Sequence, residues 1–424
     1  MLSGRVAFCR PSPFFANKGG CHLFLAVALS MAAGQQQPQF RSGVERIVID
    51  VQVVDDDGRP IEALTAADFE VQFDRHPRTV VAAQFVRAAS VDTPAGGAAP
   101  PPGVPAYSAN AENRGGRDYI LAVDESSFRT TDAPAVMRAA RAFIASLATN
   151  DRVGLFTYPA SPRMFPLTPD HTSVSMELNR VVGTYSPPLS QFHLSPSEVI
   201  DIESGDTDLV RTIARRECLP QPIYQAECLK SIPGDANLIA QAYEALSSTS
   251  VKSLRMLLAA LDQAPTRKTV VVISGGLLSS DRVGGRPDIS GIVDMLAVEA
   301  GRVRANLYVL HVDSSFLQSF SVMSGAGGVR TADGVARSAM RESSALAAGL
   351  DRLAGATGGT VVRVEPGGEQ RAFGRILRET SAYYLLAVEP TDADRDGRLH
   401  YITVKTTARG ADVRARRTVV IPAR

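Results

Sequence analysis

The sequence contains no tryptophan, few lysines and no excess of charge of either sign. Its 45 basic and 44 acidic residues give a formal net charge of +1 over 424 residues. Proteins that bind nucleic acid or an anionic membrane surface carry a strongly basic face, so the balanced charge argues against both kinds of partner. The absence of tryptophan argues against a binding surface built on indole stacking, as in many sugar-binding proteins.

Apolar runs long enough to cross a bilayer are also missing. The best candidate, 23–33, follows basic residues and precedes small residues and a run of glutamines. An apolar stretch of about 7–15 residues with these flanks is typical of a secretory signal and is too short for a transmembrane helix. We therefore expect residues 1–34 to be a signal peptide and the mature chain to be exported, periplasmic or extracellular, without a transmembrane segment. The alternative, a buried N-terminal helix, is disfavoured by the glutamine and proline residues that follow.

Cysteine is scarce, and two of the four cysteines, Cys9 and Cys21, lie in the expected signal peptide. Cys218 and Cys228 remain, with nine residues between them. In an oxidising compartment such a pair predicts a disulfide that closes a local loop. A zinc site is the alternative, but no histidine or second cysteine pair lies nearby at ligand spacing.

The two ends of the chain differ from its middle in their hydrophobic pattern. Residues 46–87 and 382–424 alternate apolar and polar positions and contain about three strands each, too few to form a covered sheet alone. Between 117 and 381, short wholly apolar strands alternate with helical patterns, which predicts a mostly parallel sheet covered on both faces. We therefore expect a doubly wound α/β domain inserted into a β-sandwich that is built from N- and C-terminal strands. The alternative is that the two strand sets form separate small sheets.

Two segments lie outside this pattern. Residues 88–116 are rich in alanine, proline and glycine and are expected to be a linker. Residues 185–237, called the insertion below, are longer than the usual connection in an α/β unit. The insertion is expected either to contact a partner or to form an extra helical layer held by the disulfide.

The end of the first α/β strand carries candidate ligands. The sequence YILAVDESS places Asp124, Ser126 and Ser127 on a strand-to-helix loop. Open parallel sheets bind ligands beyond the carboxyl ends of their strands, near the point where the strand order reverses. Carboxylate and hydroxyl oxygens there suit Mg²⁺, Mn²⁺ or Ca²⁺, so these residues are candidate ligands of a divalent cation. The alternative is that Asp124 caps the following helix or bonds to backbone.

The Asp-x-Ser loop and the order of elements resemble a von Willebrand factor A domain, whose metal ion-dependent adhesion site begins Asp-x-Ser-x-Ser. Nearly all of the expected mature chain is similar to exported bacterial proteins with a VWFA-related domain, largely acidobacterial. The motifs that carry this resemblance are VIDVQVVDDDGRPIEALTAADFEV, LTPDHTSV, RKTVVVISGGL, YYLLAVEP and DGRLHYITVK. The resemblance implies a von Willebrand A-like domain whose adhesion site accepts a carboxylate from a protein partner.

The sequence departs from the adhesion-site pattern at several positions. Phe128 stands where the third ligand, a serine, belongs, although Ser127 is adjacent. Ile273-Ser274-Gly275-Gly276 offers no carboxylate where the later aspartate belongs. The family's threonine ligand has no assigned position, and Thr207 is not adopted for it. Each missing oxygen must be replaced by water, so the incomplete set lowers the expected affinity for metal.

Other motifs give little support for metal binding or catalysis. The run 392–397, DADRDG, matches the first half of a calcium loop, but Thr403 stands where a bidentate glutamate belongs, and a hairpin turn is favoured. The six histidines are scattered, and His311 is expected to be structural. Ser274 lacks the glycine that a nucleophile elbow places two residues earlier. No catalytic residue is therefore assigned, and no enzymatic activity is expected.

These observations together predict an exported, non-enzymatic protein-binding or adhesion-type module with a degenerate adhesion site. Its partner is expected to be another protein, and its only expected cofactor is a divalent cation. The alternative is a structural or assembly component of the cell envelope, in which the A-like domain serves as a scaffold.

Overall fold

The strands of the protein fall into two sheets. The computed structural model describes residues 46–87, 116–218, 222–261, 266–282, 284–313, 332–364 and 367–423. The expected signal peptide, 1–34, and nearly all of the expected linker lie outside these residues. The strands are β1 (Ile47–Val54), β2 (Phe69–Phe73), β3 (His76–Arg87), β4 (Asp118–Asp124), β5 (Arg152–Tyr158), β6 (Arg163–Thr168), β7 (Lys268–Ser274), β8 (Ala305–Val312), β9 (Val361–Val364), β10 (Ala382–Glu389), β11 (Leu399–Thr406), β12 (Asp412–Ala415) and β13 (Thr418–Val420).

The α-helices all lie between β4 and β10 in chain order. They are α1 (Ala133–Ala145), α2 (His171–Glu177), α3 (Pro196–Glu203), α4 (Thr207–Glu217), α5 (Pro222–Ala260), α6 (Ser290–Arg302), α7 (Ala332–Thr357) and α8 (Glu369–Glu379). No helix among the described residues is both long and apolar enough to cross a bilayer.

The central sheet is six-stranded, in the order β6-β5-β4-β7-β8-β9. All its neighbouring strands are parallel except β6, which runs antiparallel to β5 at one edge. Helix α1 packs on one face through Val136 and Phe143, and α5 packs on the other through Val251 and Leu258. Because both faces are covered, β4, β7 and β8 are buried along their whole length. The predicted doubly wound α/β fold is confirmed at this level.

The outer strands form one antiparallel sheet of seven strands, in the order β12-β1-β10-β3-β2-β11-β13. Strands from both ends of the chain are interleaved in this order, so the two ends form one sheet together. The sheet is continuous, however, and is not divided into the two packed layers of the expected sandwich. Only 416–417 separate β12 from β13, although these strands lie at opposite edges. The sheet must therefore curl until its edges approach, and its apolar residues, such as Phe73 and Tyr384, fill the inside.

Polar contacts join the curled sheet to the α/β core. Gln52 of β1 accepts a hydrogen bond from the hydroxyl of Tyr308 in β8 and donates one to the carbonyl of Glu379 at 3.2 Å. The buried Glu379 carboxylate in turn pairs with Arg414 and, at 2.8 Å, with Arg375. Removing one member of a buried pair leaves the other charge uncompensated. These contacts therefore depend on one another, and the described residues form one compact unit.

The insertion forms an extra helical layer. Helices α3, α4 and the first half of α5 enclose a separate apolar cluster that includes Val199, Ile213 and Ile239. The predicted disulfide joins Cys218, which ends α4, to Cys228 in α5, with Cα atoms 6.3 Å apart. Helix α5 begins inside the insertion and continues beyond it: its first half packs against α3 and α4, and its second half packs against the central sheet.

The 392–397 turn is neither a calcium loop nor a hairpin. Strands β10 and β11, which it connects, are not neighbours in the sheet. Asp394 accepts bonds from Arg78 Nε at 2.6 Å and from the Thr391 backbone at 2.7 Å. Among the described residues, no group of three or more His, Cys, Asp or Glu side chains converges as metal ligands would.

His400 fastens two loops at one end of the curled sheet. Its Nδ1 bonds to Asp74 at 2.8 Å and its Nε2 to Asp396 at 3.1 Å. Burial opposes a charge on the imidazole, but the hydrogen bonds to both carboxylates outweigh it and raise the pKa of His400. Backbone N–H groups of Tyr401 and Arg398 are the main cause of the lowered pKa values of Asp74 and Asp396.

The raised pKa of His400 predicts a stability that depends on pH. The folded chain holds this proton more tightly than the unfolded chain, so the stabilisation is present below the ordinary pKa of 6.5 and is lost as pH rises through the folded value. We expect the free energy of unfolding, measured in urea from about pH 5 to about pH 8.5, to fall more steeply for the wild type than for His400→Gln. Parallel profiles would contradict this role of His400.

Candidate functional site

The candidate site lies where the order of the central sheet reverses. From β4 the chain proceeds outward to β5 and β6, then returns to β7 on the other side of β4. Val123 and Ile273 pair in register, so Asp124 and Ser274 end neighbouring parallel strands at the same edge. The loops that follow these two strands leave in opposite directions, and a crevice lies between them. Open α/β sheets bind their ligands in such a crevice.

The carboxylate of Asp124 is the centre of this crevice and is almost completely buried, with 3% of the residue exposed. Its Oδ1 accepts a hydrogen bond from Ser126 Oγ at 2.8 Å. Its Oδ2 accepts bonds from Ser250 Oγ at 3.3 Å and from Ser274 Oγ at 3.4 Å. Burial raises the pKa of Asp124 to about 6, and the bonds from these hydroxyls oppose that rise. The serine hydroxyls therefore compensate a carboxylate that has lost its water.

Ser127 joins the two sides of the crevice. Its Oγ donates to the Asp124 carbonyl at 2.8 Å and accepts from the Gly275 N–H at 2.7 Å. A Cβ at Gly275 would lie 2.1 Å from the carbonyl oxygen of Ser127, so only glycine allows the two loops to approach this closely. The Ser127 hydroxyl is thus committed to holding backbone together.

Thr184 is the threonine that lies against the Asp124 loop. Its N–H and Oγ1 both donate to the Glu125 carbonyl, at 2.6 and 3.0 Å. Thr207 instead begins α4 in the insertion. Next to Thr184, Gly183 packs closely against the loop after β4, because a Cβ at this position would lie 2.4 Å from the Arg129 carbonyl oxygen. A glycine before the threonine is a weak sequence indication of this contact. Sequence reasoning missed Thr184, and it also missed Ser250, which is one of many serines on α5 and matches no motif.

The residues present do not fit a cage for a divalent cation. Asp124 supplies the one carboxylate at the centre, and the hydroxyls of Ser126, Ser250 and Ser274 direct their hydrogens at it. Phe128, at the third motif position, is buried in the apolar core. Ca²⁺ takes about six to eight oxygen ligands, and Mg²⁺ demands near-octahedral geometry. The structure places Asp124, Ser126 and Ser127 close together at the end of β4, where Ser126 Oγ donates to the carboxylate of Asp124 and Ser127 Oγ donates to its backbone carbonyl.

His311 supports the crevice from below and is fully buried at the end of β8. Its Nε2 lies 3.2 Å from the Gly275 carbonyl oxygen, which requires the proton on that nitrogen. Burial lowers the pKa of His311, although Asp313 nearby opposes the effect. The neutral ring therefore fixes the Gly275 peptide, while the Ser274 hydroxyl donates to Asp124 and accepts a hydrogen bond from the Gly276 N–H at 3.2 Å. Neither contact forms a nucleophile–base pair.

Comparisons with known proteins bear on the fold. No protein-family model and no curated protein matches the chain. Among solved structures, the VWA domain of SpRpn10 matches at 12% identity with a TM-score of 0.27, covering 61% of this chain and 93% of that one. The vWF domain of the type V pili tip protein Mfa5 from Porphyromonas gingivalis matches at 8% identity with a TM-score of 0.29, covering 62% and 93%. The ArnB paralog VWA2 from Sulfolobus acidocaldarius matches at 7% identity with a TM-score of 0.26, covering 89% and 76%.

These three matched structures are described as VWA or vWF domains. The fold of this chain is defined by the strand order β6-β5-β4-β7-β8-β9 and by the helices that cover both faces of that sheet.

The close approach at Gly275 predicts the effect of adding one methyl group. Gly275→Ala should lower the free energy of unfolding by about 1–3 kcal/mol, because the Cβ meets backbone that cannot move without separating the two loops. Gly374→Ala is the matched control: it lies inside α8, where the added Cβ would meet only the end of the Arg378 side chain at 3.7 Å, and should be neutral or stabilising by up to about 1 kcal/mol. Equal effects of the two substitutions in urea unfolding would contradict the close approach.

Proposed function

We propose that the protein is an exported, non-enzymatic protein-binding module that uses the crevice above β4 and β7 without a divalent cation. The observation that carries this proposal is the hydrogen bonding of Asp124 by Ser126, Ser250 and Ser274. In the metal ion-dependent adhesion sites that this loop resembles, a cation links the domain to a carboxylate of the partner. Here the hydroxyls satisfy the domain's own carboxylate, so a partner must be held by other contacts.

A protein partner is supported by the composition of the crevice rim. The loop after α2 exposes Val182, whose N–H lies 3.4 Å from Glu125 Oε1 beside the crevice, and Leu189, in the first part of the insertion, is 98% accessible. Exposed apolar side chains beside a concave site are typical of protein interaction surfaces. The insertion adds a helical layer next to this rim, where it can contribute contacts. The balanced net charge is also better suited to a protein than to a nucleic acid.

Two further parts of the proposal rest on the sequence and the side-chain pairings. Export is supported by the apolar stretch 23–33 with its flanks and by the Cys218–Cys228 disulfide, which an oxidising compartment maintains. A binding role without catalysis is supported by the contacts of Ser274 and His311, which serve the fold of the crevice.

Cation independence predicts an unchanged melting temperature. After dialysis of the full chain against EDTA, addition of excess Mg²⁺, Mn²⁺ or Ca²⁺ should not change its melting temperature. A ligand that binds the folded state raises the melting temperature, and we expect no open site for any of these ions. An ion-dependent rise that is absent in Asp124→Ala would contradict the proposal. Asp392→Asn, at an exposed carboxylate far from the crevice in sequence, is the control for surface binding.

A photo-crosslinking experiment tests the binding role. Arg129 is exposed on the loop after Asp124. When a photoreactive amino acid replaces it, crosslinking in an envelope extract of the source cells should capture a protein other than a second copy of this chain. The same group at Tyr401, exposed on the curled sheet, should capture nothing above background. Crosslinks between copies of this chain, with a stable oligomer by light scattering, would contradict this proposal and favour the envelope scaffold.

A further inference from the structure

Two arginines share one carboxylate where the insertion meets the α/β core. Asp201 of α3 binds Arg282 Nη2 through Oδ1 at 2.9 Å and binds Arg341 through Oδ2. Arg282 lies on the loop between β7 and α6, and Arg341 lies on α7. Three segments that are far apart in sequence therefore converge on one ion-pair cluster.

The charges in this cluster do not balance. Two guanidinium groups face one carboxylate, which leaves an excess of one positive charge. Asp201 is mostly covered, with 13% of its side chain accessible, whereas 51% of Arg282 and 56% of Arg341 remain accessible. Burial raises the pKa of the neighbouring Glu342, whose carboxylate accepts bonds from the N–H and the hydroxyl of Ser197 and is engaged on the α3 side. The three side chains of the cluster therefore carry one net positive charge, and its solvent-exposed part consists of the two guanidinium groups.

The unused hydrogen-bond donors point to a ligand with acceptor oxygens. A guanidinium carries five N–H donors in a planar fork. Each of these arginines makes a single described side-chain hydrogen bond, to Asp201. If the cluster served only to tie the insertion to the core, one arginine would neutralise Asp201. A second half-exposed arginine adds a positive charge that the pairing itself does not require.

One member of the cluster, Arg282, lies on the loop that leaves the candidate site. The loop after β7 begins with Gly275 at the crevice and reaches Arg282, whose N–H is fixed by Ser280 Oγ at 3.2 Å. The Leu277 N–H donates to the Leu346 carbonyl at 2.8 Å, which ties this loop to α7. Arg282 and Arg341 are therefore held on structured backbone, and Arg282 is connected to the crevice through the loop after β7.

We infer that Arg282 and Arg341 bind a carboxylate of an acidic segment in the protein partner, and that Asp201 positions them. This inference rests on the proposed function and specifies the chemistry of the partner. Arginine forks bind carboxylates through paired, charge-assisted hydrogen bonds. The positive charge that a cation would offer in an adhesion site is here supplied by side chains at the rim.

The test uses a fluorescein-labelled peptide of alternating glutamate and serine, with the full chain in EDTA. Fluorescence anisotropy should show saturable binding that weakens with salt, and Arg282→Gln and Arg341→Gln should each weaken it by about tenfold. Arg409→Gln, at an exposed turn before β12, is the charge-matched control and should bind as the wild type does. Thermal unfolding of each variant shows whether it is folded. Arg282→Lys and Arg341→Lys keep the positive charge but lose the planar guanidinium, so they test whether its geometry is needed for peptide binding.

Several results would overturn the inference. The first is the absence of peptide binding, and the second is a loss of peptide affinity in Arg409→Gln equal to that in the two test variants. The third is full peptide binding by both lysine variants, which would show that general positive charge, and not the guanidinium geometry, attracts the peptide. Displacement of the peptide by inorganic phosphate at far lower concentration than by glutarate would identify a phosphate site instead. If crosslinking at Arg129 still captures a protein while the peptide fails to bind, only this inference fails. If the peptide binds as expected but crosslinking captures no protein, the proposed function fails.

Discussion

The buried carboxylate of Asp124 is the constraint on which the rest of the site depends. A carboxylate removed from water must be hydrogen-bonded, since an uncompensated charge in the interior costs several kcal/mol, of the order of the whole stability of a domain. Ser126 meets this requirement from the adjacent loop, Ser250 from helix α5 and Ser274 from the end of β7. The crevice is therefore shaped by where these segments must lie, and α5, which delivers Ser250, also extends outward to form the insertion.

The same constraint links the two sides of the crevice to the sheet beneath. Ser127 and Gly275 hold the loops together through backbone, and His311 fixes the Gly275 peptide from β8. A cation in an adhesion site performs both tasks, since it neutralises charge and gathers the loops. In this chain hydroxyl groups and one neutral imidazole perform them internally. The proposed function therefore draws its binding energy from residues outside this network, among them the arginines on Asp201 and the exposed apolar residues of the loop after α2.

The sequence allowed the α/β core to be predicted because its strands are uniformly apolar and its helices show one apolar face. It also singled out Asp124, because this carboxylate ends a buried strand and begins the Asp-x-Ser motif. The curled sheet was not predictable, because alternation shows which face of a strand is buried but not which strands pair. Ser250 and Thr184 were missed for a similar reason. Each contacts the loop after β4 only through tertiary packing, and no local spacing marks a serine on a helix or a threonine in a loop as part of that contact.

The most direct test of this account is anomalous X-ray scattering from crystals of the full chain grown in manganese chloride. Mn²⁺ takes the same oxygen ligands as Mg²⁺ and scatters anomalously, so an ion at the end of β4 would be located without ambiguity. The account predicts no anomalous peak beside Asp124, with the Ser126, Ser250 and Ser274 hydroxyls within hydrogen-bonding distance of its carboxylate. A peak at full occupancy that is coordinated by Asp124, Ser126 or Ser127 would contradict it.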